Sequence, residues 1–401
     1  MKTTILGSTK PGYQLTTDEA LQFAGHEAGI CYMPDTLEDI FNEPESKTAS
    51  RVKMTLENYH HSVFGHPFFN FSFEGIPKIL AMILNNEKVY TTSEKSARYT
   101  KMQTSGREQQ LYEKWLAFFY GRINCIYPHI PLGEANKLAQ ENARYLISVF
   151  TPATTMGYTV SLQQINYILG WMKDEIDRPT DDKFFIKLKP VLQEFYDQVY
   201  PLVGVKGLRD NKGRKLSLFA APGHWREDEF GETYCVNTEG SFAYLAQAQR
   251  HRTIKYEICY IPESDFDSNP RVYTPRCLEQ EIRADTEWRE DIISLYNAGE
   301  YPQGLLLSIN ERGTVEDFIM KCKERLCGHA QLETCLVTRD TLELYYEEVS
   351  YGMSGVRDYL GKFVEYDELN YACARARCDF PNFTCTQPCR FGPERCFTRL
   401  V

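Results

Sequence analysis

One order of local patterns runs through this sequence twice, on either side of a Gly- and Lys-rich polar stretch between Leu202 and Lys215. In the first pass, a helix from Thr17 to Ala28, opened by a Thr-Thr-Asp cap, precedes a polar loop around Pro34 and Pro44. Pro67 to Glu74 then alternates aromatic and polar residues over its second half, as a half-buried strand does. Pro77 opens the apolar run Ile79 to Leu84, a short helix. A polar turn from Asn85 to Lys95 leads into Ser96-Ala97-Arg98-Tyr99, and 106–151 and 160–200 read as helices with a break at Thr151-Pro152. In the second pass Tyr234-Cys235-Val236 is a strand, Phe242 to Gln249 a helix, Arg250 to Tyr260 a loop or strand, and Asp285 to Tyr296 a helix. Thr314-Val315-Glu316-Asp317 is a capping box that starts a long amphipathic helix with Phe318, Ile319, Cys322, Leu326 and Ala330 on one face. This order gives an α+β fold, and its recurrence predicts a duplication.

A chain of 401 residues suits two domains better than one core. Its 42% hydrophobic and 25% charged residues are those of a globular protein. A net charge of -10 argues against a general nucleic-acid binder, which needs cations to displace counterions from phosphates. Local arginine clusters still suit one small anion. Met1 to Thr17 has no apolar signal core and no run reaches the length of a membrane span, so a soluble cytoplasmic protein is expected. Eight of the thirteen cysteines (31, 125, 235, 259, 277, 322, 327 and 335) are scattered, as reduced apolar fillers would be. The other five crowd together near the end of the sequence.

Ala246-Gln247-Ala248-Gln249-Arg250-His251-Arg252 is a compact donor cluster suited to phosphates or an electron-rich heterocycle. Read alone, the triplet equally fits solvated surface charge. A second stretch supplies its complement. Ser93-Glu94-Lys95-Ser96-Ala97-Arg98-Tyr99 places a hydroxyl and a guanidinium two residues apart, and read alone Arg98 suits a surface pair with Glu94.

Together these stretches resemble the flavin-dependent thymidylate synthases, whose signature runs R-H-R-x-x-S-x-N-E-x-S-x-R-Y. His61-Ser62-Val63-Phe64-Gly65-His66 resembles the family's upstream histidine segment. Residues 93–99 match N-E-x-S-x-R-Y with Ser93 for the asparagine, but Asn86, Glu87 and Lys88 fill the triplet's positions and Thr91 replaces the first serine. The second half is the reverse. Arg250-His251-Arg252 is intact, with Gln247 three residues before it, while Lys255, Glu257, Ile258, Tyr260 and Pro262 fill the rest of the motif. Arg325 to Glu333 resembles the family's long-helix segment, in which an arginine precedes an Ala-Gln pair and a glutamate; the equivalent place in the first half falls near Met172.

Each half therefore keeps what the other has lost. The family shares its active sites between the subunits of a homotetramer, so the resemblance implies two tandem copies of a domain with an antiparallel sheet and helices, keeping one composite site, and a homodimer that mimics the tetramer. The expected boundaries are 1–201, a linker at 202–215, 216–350, and a Cys-rich tail at 351–401. The implied reaction transfers a one-carbon unit from methylenetetrahydrofolate to C5 of dUMP, giving dTMP, with FAD as hydride carrier and NADPH as reductant. Carried over residue by residue, Arg250, His251 and Arg252, with His61 or Glu94, would lie at the flavin. Ser96, Arg98, Gln247 and Arg325 would lie at the nucleotide, Arg98 and Arg325 as the catalytic pair. Four apart on one helical face, Arg325 and His329 would point into one cleft. Rival readings are a flavoenzyme acting on another pyrimidine nucleotide, and a non-catalytic nucleotide-binding paralogue.

The tail spacing Cys373-x4-Cys378-x6-Cys385-x3-Cys389-x6-Cys396 offers thiolates for zinc or an iron-sulfur cluster, although it lacks C-x2-C pairs; free thiols are the alternative. Phe380, Pro381, Pro388 and Pro393 fit a loop-rich module there.

Overall fold

The computed structural model describes all residues except 10–14, 99, 103, 222–225, 264–268, 350–352, 381–388 and 393–395. Its elements in chain order are β1 (Lys2–Ser8), α1 (Thr17–Tyr32), α2 (Leu37–Phe41), α3 (Glu45–Glu57), β2 (Phe68–Ile76), α4 (Lys78–Asn86), β3 (Thr91–Glu94), α5 (Gly106–Ile126), α6 (Leu132–Ala143), β4 (Thr154–Ser161), α7 (Leu162–Asp177) and α8 (Lys183–Val203). There follow β5 (Glu229–Phe230), β6 (Thr233–Ser241), α9 (Phe242–Ala248), β7 (Lys255–Tyr260), α10 (Ile282–Asn297), β8 (Leu306–Thr314), α11 (Val315–Arg325), α12 (Leu332–Glu348), α13 (Ser354–Leu360), β9 (Val364–Tyr366) and β10 (Ala372–Ala374).

These group into two compact units. Unit 1 is Met1–Lys95 with Pro152–Ser217; unit 2 is Ser96–Thr151 with Leu218–Val401. The division departs from the contiguous halves read from the sequence, because α5 and α6 of the first half cluster with the second.

Unit 1 holds an antiparallel sheet in the order β1-β2-β4-β3. On β2 the alternation read from the sequence is real: Phe69, Phe71 and Phe73 are buried and Phe68 is exposed. The Phe73 ring meets Phe195 of α8 edge to face at 5.2 Å, so the aromatic stripe anchors the helical layer. Strands β1, β3 and β4 were not legible. Thr154–Ser161 mixes Thr, Gly and apolar residues at the foot of a helical run, and β3 lies inside what reads as a polar turn.

Unit 2 has a sheet of like order, β5-β6-β8-β7, also antiparallel, with β6 and β8 in unbroken register from Thr233↔Thr314 to Ser241↔Leu306. Its central strands end in hydroxyl residues that cap the next helix. The Ser241 hydroxyl accepts from Tyr244 N at 3.0 Å and starts α9, while Thr314 and Asp317 form the expected capping box of α11. The turn into α9 needs glycine: a Cβ on Gly240 would lie 2.4 Å from the Tyr244 ring. The long amphipathic helix is corrected here. α11 stops at Arg325, and α12 starts only at Leu332, so Leu326, His329 and Ala330 lie in a connecting loop. Arg325 and His329 therefore do not share a helical face.

α5 packs on α10 through Trp115 and Trp288, whose rings meet edge to face at 5.0 Å. Phe119 closes on Trp288 at 5.3 Å, and Trp115 Nε1 donates to Asp291 at 2.9 Å. Since both indoles are buried, Trp288→Ala should destabilise the protein by about 3–5 kcal/mol through the cavity it leaves. Urea unfolding checks this; a loss under about 1 kcal/mol would mean the two helices do not depend on that contact.

Candidate functional site

Arg98 lies just after β3 in the chain but belongs to unit 2, together with Gln247, Arg250 and Arg325. Ser96 fixes its approach, the hydroxyl accepting from Arg98 N at 3.3 Å and the carbonyl from Thr100 N at 3.1 Å. The guanidinium is then held from two sides. Nε donates to Glu141 at 2.5 Å, and Nη2 donates to the carbonyl of His329 at 2.7 Å. Arg98 therefore pairs with Glu141.

Behind this contact lies a buried polar chain that crosses between the two sequence halves. The Gln331 side-chain carbonyl accepts from both Arg144 and Gln247, and its amide donates to the Tyr145 hydroxyl. Tyr145 in turn donates to Glu333 at 2.8 Å, and Glu333 also receives the Ser241 N–H at 2.8 Å and hydroxyl at 2.7 Å. Burial raises the Glu333 pKa and lowers that of Arg144, with Arg98 adding to the latter. Among the described residues, Arg144 Nε is buried without a hydrogen-bond partner, so this guanidinium keeps a donor to offer. Arg144, Tyr145 and Glu141 were missed by motif reading. Their only signal was an arginine directly before the largely apolar run from Tyr145 to Phe150.

On the opposite motif, Arg250, His251 and Arg252 occupy the turn after α9, with Arg250 and Arg252 exposed and His251 buried. His251 Nε2 lies 2.9 Å from Arg325 Nε and accepts its proton. Burial, then the charges of Arg325 and Lys321, hold the His251 pKa down to about 2. The imidazole is thus neutral, an acceptor that orients Arg325, and its 3.8 Å approach to Glu324 is not an ion pair. Arg325 is itself pushed below the ordinary arginine range by burial, and the like charges of Arg98 and Arg250 act in the same direction. The base of α11 is fixed by Lys321, buried against Glu311 of β8 at 2.6 Å, while Tyr234 donates to the same carboxylate at 2.6 Å.

The remaining sequence-derived site residues lie elsewhere. His61 and Glu94 belong to unit 1. His61 bonds the Tyr167 hydroxyl at 2.9 Å and the Leu56 carbonyl at 3.2 Å, and Glu94 takes Lys78 at 2.6 Å and Asn85 at 3.2 Å. In the same unit, the positions where the first half lacks its Arg-His-Arg triplet are packed with chain: Glu87 is fully buried and accepts from Ser217 N at 2.6 Å and from Arg214. Arg214 stacks over Trp171 at 4.1 Å.

Of the five tail cysteines, Cys373, Cys378, Cys389 and Cys396 are among the described residues. Cys385 lies outside the described residues, and among the described residues no three His, Cys, Asp or Glu side chains are grouped to hold a metal. Cys373 has Asp367, Glu343 and Glu365 for charged neighbours, whereas Cys378 neighbours Cys389 and Cys327. Cys396 instead meets Cys335 of α12, sulfur to sulfur at 4.0 Å; Cys335 is more than an apolar filler.

Residues 15–170 match the sequence model of the Thy1 family, described as thymidylate synthase complementing protein. Over this region, less than half of its length, the chain is similar to that family. Among solved structures it is similar to the UMP/dUMP methylase PolB from Streptomyces cacaoi, bound with 5-Br dUMP, at 13% identity over 50% of this chain and 90% of that one (TM-score 0.33). It is likewise similar to the flavin-dependent thymidylate synthase of Helicobacter pylori complexed with FAD and dUMP, at 13% identity over 52% and 95% (TM-score 0.31). No curated protein gives a sequence match. Among the described residues no helix is long and apolar enough to cross a membrane.

The neutral His251 has a pH signature. Between its ordinary 6.5 and its native value of about 2, the unfolded chain binds a proton that the native state refuses. The stability tied to it is complete above the ordinary value and is lost as pH falls, by about 1.4 kcal/mol per unit. From about pH 6.5 to 5.5, wild type should lose roughly 1 kcal/mol more than His251→Gln in urea unfolding. Equal slopes would show that His251 is already protonated.

Proposed function

We propose that this chain is an FAD-dependent thymidylate synthase-like enzyme that methylates C5 of dUMP, with one nucleotide site made from motif pieces of both sequence halves. The observation that carries the reading is the meeting of Arg98 with the loop that follows Arg325 inside one compact unit, where the two motif halves complete each other. The charges of Arg98 and Arg250 act there to lower the pKa of Arg325, and among the described residues Arg144 holds a buried donor without a partner. Such a set is stabilised by a bound anion, and arginine forks match phosphate oxygens two at a time. The like order of the two sheets supports the duplication, and the filled place around Glu87 supports decay of the second site.

In this reading Arg98, Arg144 and Gln247 bind the nucleotide, with Ser96 shaping the turn that presents Arg98. Arg325, aimed by neutral His251, is placed to stabilise negative charge that develops on the pyrimidine ring as C5 reacts. The donor set also fits a flavin: Arg250 and Arg252 present exposed cations beside this cluster, suited to its pyrophosphate. Bound FAD would supply the hydride that turns the transferred one-carbon unit into a methyl group, with methylenetetrahydrofolate and NADPH as co-substrates. The protein's part is orientation and charge stabilisation. His61 and Glu94 are left out of the proposed site. A homodimer of such chains remains the expected assembly.

Titration of the flavin spectrum with dUMP and with UMP tests this. Arg98→Ala should weaken binding of the preferred nucleotide by about 1.5–3 kcal/mol, as loss of a charge-assisted hydrogen bond does. Arg325→Ala should act less than additively with it, since both would hold one ligand. Unchanged affinity in Arg98→Ala would remove the first motif half from the site. Tight binding without turnover of either nucleotide would favour the non-catalytic paralogue.

A further inference from the structure

The tail beyond α13 has no part in the motifs above, yet it closes on the loop 326–331 between α11 and α12. That loop follows Arg325 and ends at Gln331, and along it the His329 carbonyl takes Arg98 at 2.7 Å. Tail residues grip it throughout. Arg377 N donates to the Leu326 carbonyl at 2.5 Å, and Arg390 Nη2 lies 3.1 Å from His329 Nδ1. The central grip is Arg399, a guanidinium only 1% exposed. Its Nη1 donates to the Cys327 carbonyl at 3.3 Å and its Nη2 to the Ala330 carbonyl at 2.6 Å. Nη1 also reaches the Cys396 carbonyl at 2.9 Å, and Nε reaches that of Val401 at 2.9 Å.

Cys327 and Ala330 bracket Gly328 and His329, so one planar fork sets the span that presents the His329 carbonyl to Arg98. Burying a guanidinium is costly. What this one obtains is a fixed loop, a task suited to two rigidly spaced donors and not to the single ammonium of a lysine. The fork stands on a fixed base. Leu400 N donates to the Tyr127 hydroxyl at 2.9 Å, Arg276 Nη1 to the Phe397 carbonyl at 2.5 Å, and the Arg390 carbonyl lies 3.0 Å from His129 Nε2.

We propose that Arg399 is a positioning residue of the nucleotide site, which, with Arg390, makes the Cys-rich tail part of the catalytic unit. This rests on the functional reading above. Arg399 touches no ligand; it acts through the loop, by keeping Arg325, the His329 carbonyl and Gln331 in the spacing that Arg98, Arg144 and Gln247 meet.

The test uses the full-length, FAD-loaded protein, wild type and the variants Arg399→Lys and Arg390→Gln. It measures FAD content, reduction of the bound flavin by NADPH without nucleotide, and KM and kcat for dUMP. Arg399→Lys should raise the KM for dUMP by roughly ten- to a hundredfold, the scale of an ångström-level misplacement, with FAD content and nucleotide-free reduction as in wild type. Arg390→Gln should shift KM the same way by a smaller factor. A KM for dUMP unchanged in Arg399→Lys overturns the proposal. If that variant instead loses FAD and folding together, Arg390→Gln decides: a raised KM with normal FAD content supports the role, an unchanged KM ends it. Wild-type protein that binds no dUMP would sink the functional reading first, and this inference with it.

Discussion

In the proposed site, the contact between Arg98 and the His329 carbonyl is what joins the two incomplete motifs. Like-charged guanidinia do not gather in a half-buried place unless each is held by acceptors of its own. Arg98 has Glu141 and His329, Arg325 has His251, and Arg144 has Gln331. Arg98 and Arg250 still act to lower the pKa of Arg325, and in the proposed reading an anionic ligand offsets that repulsion. In the proposed reading, function follows from charge stabilisation by several guanidinia, and not from any single reactive side chain.

The fold bears that deficit because the backbone around it is fixed at several points. Glu333, at the start of α12, takes both donors of Ser241 where β6 becomes α9, which ties the helix carrying Gln247 to the helix that follows Gln331. Lys321 and Glu311 tie α11 to β8. Both are fully buried charged or polar links, costly to break because each would leave an unpaired group in the interior. In the proposed reading unit 1 is the other outcome. There the position equivalent to the triplet holds Glu87, whose carboxylate is consumed by Ser217 and Arg214 of its own chain.

Much of this was legible in the sequence, and the limits have physical causes. The aromatic alternation of β2, the cap of α11 and the short apolar α4 were readable because period and capping are local properties. The pairing of Arg98 with the second motif could be anticipated from the complementary losses in the two halves. The extent of α11 could not, because the helix pattern in Leu326 and Ala330 persists beyond the point where the chain turns toward Gly328. Arg144 and Arg399 escaped because their roles depend on partners far away in the chain, Gln331 and the loop at Cys327 to Ala330. The cysteine spacing drew attention to the tail alone, whereas Cys396 meets Cys335 of α12, a contact between distant parts of the chain that no local spacing shows.

The central claim, that the duplicated chain retains a single nucleotide site, is tested most directly by stoichiometry. Protein purified without oxygen would be titrated with dUMP while its visible flavin absorption is recorded, at chain concentrations well above the dissociation constant. The account predicts a spectral change that saturates sharply at one nucleotide per chain. Saturation at two per chain would show that the first half has kept a site of its own, and a colourless protein that takes up no FAD would contradict the flavin reading altogether.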